Sequence, residues 1–322
     1  MNYVERCYFL QEQPAIKLGN KWIEVIVIPD WGSNMISMVE KKTNMELLKV
    51  PTSKEEFLEK PFLYGTPILF PPNRINNGCF TFNNRHYQFE INEQEHGNHI
   101  HGLVYNKNWT VKKYEANGDQ VLLVTEFNAA LHPDVIKQFP HSFVIEMHFM
   151  LSGHTIEQTA FIKNNSEECF PWGLGYHTAF LFNEESSLFS LTAAKKWTLN
   201  DRFLPTGEWE VIPYKNELEK GMSLKQIALD DAFYSSVGED GRNEAILHNE
   251  STGIEITYKA DSNFKHWVVY NSNGQKGFVC SEPYTWITDA PNLHLPHDET
   301  GLQTLDPSEI KSIYTSISVA YR

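Results

Sequence analysis

Charge is scarce along this chain of 322 residues: only 21% of positions are charged, and 27 Lys and Arg face 41 Asp and Glu. The resulting net charge of −14 repels a phosphate backbone and supplies no counterion release, so no nucleic-acid partner is expected. Long apolar runs are missing as well. Val25 to Ile28 falls far short of the roughly 20 residues that a bilayer span requires, so no membrane contact is expected. Met1 to Leu10 mixes Asn, Glu and Arg with scattered apolar side chains, without the basic end and apolar stretch of an export signal. We therefore expect a cytoplasmic protein. Cysteines are few: Cys7, Cys79, Cys169 and Cys280 lie far apart, without the paired spacing of a zinc or redox site, and read as reduced thiols, mostly buried. Absent too are a Gly-rich phosphate loop and any alternation of strands with long helices, which removes support for ATP or NAD chemistry.

What the chain does have is apolar and aromatic material, 41% and 13% of its residues, enough for a sizeable core. Strand-like runs rich in β-branched residues recur at Trp22–Ile28, Met35–Val39, Cys79–Phe82, Tyr87–Ile91, Trp109–Tyr114, Val121–Phe127, Ser142–Leu151 and Thr155–Lys163. More follow at Ala245–His248, Ile254–Lys259, Trp267–Tyr270, Gly277–Cys280 and Ser312–Tyr321. Helical text is confined to Thr52–Glu59, where Ser53 and Glu56 have capping-box spacing and Pro61 closes the segment, and to a weaker candidate at Leu224–Leu229. Short strands joined by turns predict a large antiparallel assembly. No linker or internal repeat interrupts it, so one domain over residues 1–322 is expected.

Four stretches carry groups capable of chemistry. In Glu95-His96-Gly97-Asn98-His99-Ile100-His101-Gly102, an extended backbone would put His99 and His101 on one face, which invites a metal reading. No carboxylate follows the pair, however, so no metal is expected, and His96 and His99 read as solvated loop residues. His101 differs because Gly102 permits close backbone approach or an unusual dihedral. In Phe170-Pro171-Trp172-Gly173-Leu174-Gly175-Tyr176-His177, glycines and a proline relax an aromatic stretch before an imidazole able to exchange protons near neutrality. That suits a sugar site, and equally a core aromatic strand with one internally bonded His. Glu282 ends the apolar strand Val279-Cys280-Ser281, where burial would raise its pKa into the range of a usable general base; a rim carboxylate is the alternative. Arg74, behind Pro71-Pro72, offers planar hydrogen bonding to vicinal hydroxyls, and Asp230 could accept from another; a salt-bridge reading competes for both.

The order of these motifs resembles the aldose 1-epimerase family, whose best-known member is galactose mutarotase: Asn-Arg-Ile with a nearby Gly, His-Gly followed by Trp109, a His before aromatics, Asp near Phe, then Glu-Pro. The similarity runs from about Trp22 to the C-terminus. It implies an all-β fold, a large antiparallel β-sandwich (a galactose mutarotase-like supersandwich) with few short helices and a sugar cleft across one sheet. Carried over by residue, it implies Glu282 as general base, His177 as general acid, His101 as second active-site histidine, and Arg74 and Asp230 as hydroxyl-binding side chains. The partner would be a monosaccharide whose hemiacetal opens and recloses between acid and base on opposite sides of the anomeric centre, with no cofactor. Tyr176 stands where galactose mutarotases usually carry Asn, and Gly-Leu-Val-Tyr-Asn-Lys-Asn-Trp after His101 lacks their Asp, so the resemblance implies an aldose without specifying galactose. Few Arg near the motifs points to an unphosphorylated sugar. Other readings of the same residues are a non-catalytic saccharide-binding or sensing sandwich, and a glycoside hydrolase or lyase pairing Glu282 with Asp230 or Asp289.

Overall fold

The computed structural model describes residues 1–235, 237 and 241–322, and they form an antiparallel β-sandwich. One eight-stranded sheet runs, in spatial order, through Thr110–Asn117, Gln120–Asn128, Phe143–Ser152, Thr155–Asn164, Ile310–Tyr321, Ile254–Ala260, Glu244–Asn249 and Ser187–Leu191. Its strands alternate as a half-buried sheet should: from Phe143 to Ser152 every second side chain is buried and the others are partly exposed. A second eight-stranded sheet orders Pro205–Glu210, Ala193–Leu199, Asp230–Ser235, His266–Tyr270, Phe278–Tyr284, Gly175–Tyr176 and Ile68–Leu69, with Thr178–Leu181 also paired to Phe278–Tyr284. The two meet through large side chains: Tyr258 lies edge-on to Trp267 at 5.5 Å and to Phe180 at 5.8 Å, and Tyr176 reaches the Met147 sulfur. Trp267 therefore faces the core. Its neighbours in sequence, His266 and Val268, face the other way, which sets the side on which a site can open.

A five-stranded N-terminal sheet, Tyr3–Phe9, Gln13–Gly19, Ile23–Ile28, Asn34–Glu40 and Met45–Glu46, has its own apolar cluster of Phe9, Ile28, Trp31, Ile36, Phe57 and Tyr64. The first two strands had no clear signal, since only Phe9 of Tyr3–Phe9 is buried and its hairpin turns through Leu10 and Gln11 at positive φ without a glycine. Phe57 stacks on Trp31 at 3.8 Å and so anchors the helix Lys54–Glu59 to this sheet. That helix starts as the capping box predicts: Ser53 Oγ accepts from the Glu56 N–H. The Glu56 carboxylate turns back one residue further, to the N–H and hydroxyl of Thr52 at 2.7 and 2.6 Å. Pro61 then opens a 3₁₀ turn, Pro61–Leu63, that carries Phe62 over the second sheet.

Two expectations are corrected here. Leu224–Leu229 is not helical; the short helix lies upstream at Lys215–Lys220. The side chain of Asn271 takes over the backbone groups that a helix would have used, accepting from the Leu229 N–H and donating to the Ile227 carbonyl, both at 2.8 Å. Of the four cysteines, all free, only Cys280 is buried; Cys7, Cys79 and Cys169 are half-buried at sheet margins. No helix among the described residues is long and apolar enough to cross a membrane.

Candidate functional site

On strand Phe278–Tyr284 the residues alternate between the two faces, and Glu282 pairs with Val268, placing it on the side away from the Trp267 core. Asp230 pairs with Tyr270 on the same face, two strands over and two residues along from the row that holds Val268 and Glu282. These residues floor a cavity of ≈ 450 Å³ that is also lined by Arg74, His101 and His177. The five side chains to which the resemblance gives roles thus converge on one hollow. Phe62 and Phe203 wall it, and neither was foreseen.

His177 follows the short strand Gly175–Tyr176, which lies between Ile68–Leu69 and Phe278–Tyr284, its N–H bonded to the Pro67 carbonyl at 3.1 Å. The glycines before it provide clearance rather than slack. A Cβ on Gly173 would lie 2.4 Å from the Trp286 ring and one on Gly175 2.2 Å from the Tyr284 ring. His101 is held at φ +66, followed by Gly102 at φ +71, and the pair lies against Phe70 and Pro71, where a Cβ on Gly102 would come within 2.3 Å of backbone. This kink separates the histidines. His101 enters the cavity, whereas His99 stays in strand Asn98–Ile100 and is bonded through Nδ1 to the Glu90 carbonyl at 2.8 Å. His99 is therefore a buried structural residue, not a solvated one, and half-buried His96 lines the cavity.

At the floor, His177 Nε2 and Glu282 Oε1 are 3.3 Å apart, with side-chain exposures of 5% and 2%. The second carboxylate oxygen of Glu282 accepts from the Tyr284 hydroxyl. Burial pushes the Glu282 carboxyl well above its usual range, against the Tyr284 hydrogen bond that lowers it, and burial pushes His177 down to about 3. Both shifts favour neutral partners, so near neutrality the pair holds one proton between two basic sites. His101 stands edge-on to His177 with ring centroids 5.1 Å apart; burial first, then His177 and Arg74, drives its pKa well down. The Phe62 ring covers both imidazoles, at 4.7 Å from His101 and 5.8 Å from His177.

The opposite wall is charged. Arg74 Nε reaches both oxygens of Glu93 at 3.0 Å, and Nη2 reaches one at 2.9 Å. Glu93 was not anticipated, because nothing in a sequence marks the partner of an arginine 19 residues away; the guanidinium edges left by this bridge are what Arg74 offers a ligand. Asp230 has its pKa raised, chiefly by burial. Asp289 does not line the cavity: its carboxylate accepts from the Asn76 N–H at 2.9 Å and the Asn292 amide at 2.7 Å, so it is spoken for by the fold. His177, Cys280 and Glu282 bring donor atoms within 4.8 Å of one another, all three buried, and burial raises the Cys280 thiol well above its normal pKa.

A geminal pair of oxygens, such as a sugar's ring oxygen and anomeric hydroxyl, could meet a carboxyl and an imidazole this close together. The two groups lie side by side on the cavity floor.

Comparisons with known proteins agree with this architecture. The family model for aldose 1-epimerase matches residues 14–318. A galactose mutarotase-like protein from Clostridium acetobutylicum superposes with a TM-score of 0.94 at 28% identity, covering 100% of this chain and 99% of that one. A galactose 1-epimerase from Lactobacillus acidophilus NCFM shares the fold at a TM-score of 0.80 and 15% identity, with 100% and 99% coverage. Among curated proteins, the uncharacterized Escherichia coli protein YihR is 27% identical over 164 residues, 49% of this chain and about half of that protein at 50%. A second, YphB from the same organism, is 21% identical over 79% of this chain and 83% of its own length. The matched span takes in every residue of the cavity, and the chain belongs to the aldose 1-epimerase family.

Proposed function

We propose that this protein is a mutarotase, an isomerase interconverting the α and β anomers of a free aldose. The observation that carries the reading is the contact between His177 Nε2 and Glu282 Oε1 at the cavity floor. Ring opening needs one proton taken from the anomeric hydroxyl and one given to the ring oxygen, with no net change. A carboxyl–imidazole pair sharing a single proton does both: once that proton passes from the neutral Glu282 carboxyl to His177, Glu282 accepts from the anomeric hydroxyl while His177 donates to the ring oxygen, and reclosure after rotation about the first carbon–carbon bond resets the pair. His101 hydrogen-bonds the ring oxygen or a neighbouring hydroxyl. Arg74 and Asp230 hold the distal hydroxyls, fixing the ring over the pair.

Lining charge speaks to the substrate. Glu93, Glu95, Asp230 and Glu282 outnumber Lys60 and Arg74, and Arg74 is already engaged by Glu93, so a neutral sugar is favoured over a sugar phosphate. The test is anomer exchange on freshly dissolved α-glucose, α-galactose and a panel of other aldoses, followed by polarimetry or exchange NMR. Acceleration above the buffer rate is expected for at least one neutral aldose. No acceleration across the panel would overturn the assignment, and sugar binding without exchange would leave a saccharide-binding protein.

A further inference from the structure

We propose that Phe203 is the aromatic face on which the bound sugar rests, and that Arg202 is the positioning residue that holds it there; this rests on the mutarotase reading. Phe203 lies in the loop between strands Ala193–Leu199 and Pro205–Glu210, at φ +57, where a bulky side chain is strained and persists only if its surroundings hold it. It packs in none of the hydrophobic clusters of the described residues. Instead its ring lies 4.7 Å from the Arg74 guanidinium and edge-on to His96 at 5.0 Å, on the cavity wall. The core gains nothing from this residue; the cavity does.

The restraint comes from the preceding side chain. Arg202 donates from Nε to the His96 carbonyl at 2.7 Å, from Nη1 to Asn76 Oδ1 at 2.8 Å, and from Nη2 to Asn77 Oδ1, Asn98 Oδ1 and the Gly97 carbonyl, each at 3.0 Å. The Asn98 amide returns a bond to the Arg202 carbonyl at 3.1 Å and another to Glu93 at 2.9 Å. Arg202 thereby ties its loop to the two segments that also carry Arg74 and Glu93. Such a guanidinium fork fixes orientation as well as distance, which a lysine could not reproduce. An aromatic plane beside a hydroxyl-binding arginine is the arrangement that recognises a pyranose: the ring covers the apolar C–H face while the guanidinium takes the hydroxyl edge.

Steady-state anomer exchange on the full-length chain separates this role from a structural one. Phe203→Ala is expected to raise KM about tenfold, the worth of one aromatic contact, with kcat changed by less than about twofold. Phe203→Tyr should restore KM. Phe203→Gly is the discriminating variant: glycine relieves the positive φ, so thermal stability should hold or rise while KM still climbs. Arg202→Ala should raise KM as Phe203→Ala does, and the double variant should be no worse than Phe203→Ala alone. An active wild type whose KM is unmoved by Phe203→Ala and Phe203→Gly, or a fall in kcat at constant KM, overturns the inference. A wild type that exchanges no sugar overturns the mutarotase reading itself.

Discussion

The floor of the cavity and its charged wall are built on opposite plans. The floor groups, Glu282, His177 and His101, are each less than 5% exposed, and the Nδ1 atoms of both imidazoles have no hydrogen-bond partner among the described residues. Arg74, Glu93, Asn98 and Arg202, on the wall, are bonded to one another in a charge-compensated network. Desolvation without full pairing leaves proton affinities perturbed and sites for new hydrogen bonds, the state suited to a reacting group. Mutual pairing leaves geometry fixed and charge compensated, with the free edge of Arg74 aimed by it, the state suited to recognition. Variants on the floor should therefore act on kcat, and variants on the wall on KM.

The largest effect is expected from removing either member of the proton-sharing pair. Glu282→Gln and His177→Ala should each cut kcat by roughly 10²- to 10⁴-fold, the usual worth of a positioned acid or base, while sugar affinity measured by calorimetry stays within a few-fold. Because the two groups share one proton, the double variant should lose little more than either single one. Fully additive losses would show that they act separately.

The pH profile sharpens the same point. A solvated imidazole acting alone as acid would lose activity as pH rises past about 6.5. The pair instead loses competence when it gains a second proton, toward the depressed His177 value of about 3, and when it loses its only one, above the raised pKa of Glu282. Between those limits kcat/KM should be flat, without the roughly twofold loss between pH 5 and 6.5 that a free imidazole acid of pKa about 6.5 would show. A descending limb centred near 6.5 would place the working imidazole outside the pair. Tyr284→Phe comes next in size: it removes the hydrogen bond that favours the ionised form of Glu282 against burial, so kcat should fall about tenfold, with the alkaline limb moved further up.

How much of this was legible in the sequence follows the same division. Glu282, His177 and His101 could be found because each sits near a residue with a strong local signature, the Pro283 that follows the carboxylate, the Gly175 that clears Tyr284, and the positive-φ Gly102. Strand runs with regular alternation were legible for a similarly local reason. Of the wall, Arg74 was legible behind Pro71-Pro72, but Glu93, Arg202 and Phe203 were not, since they act only through partners that the fold brings from elsewhere in the chain, as Arg202 is brought to Asn76 across 126 positions. Buried His99 misled for the converse reason: its polarity suggested solvent, and the carbonyl that satisfies it, from Glu90, is a tertiary fact. The Leu224–Leu229 segment failed likewise, its backbone bonds captured by distant Asn271.

The smallest expected effect tests the wall by charge alone. Glu93→Gln keeps an acceptor for Arg74 and for the Asn98 amide but removes the negative charge between them. With side-chain exposures of 12% and 15%, the pair is screened enough that the chain should still fold, and dry enough that the change is felt in the cavity. KM for a neutral aldose should rise about three- to fivefold, as Arg74 loses its bidentate clamp, with kcat unchanged. The same variant frees a cation, so its tolerance of a sugar phosphate relative to the parent neutral sugar should improve. If kcat falls instead and the phosphate preference does not move, the wall takes part in the proton chemistry, and the separation of recognition from reaction is wrong.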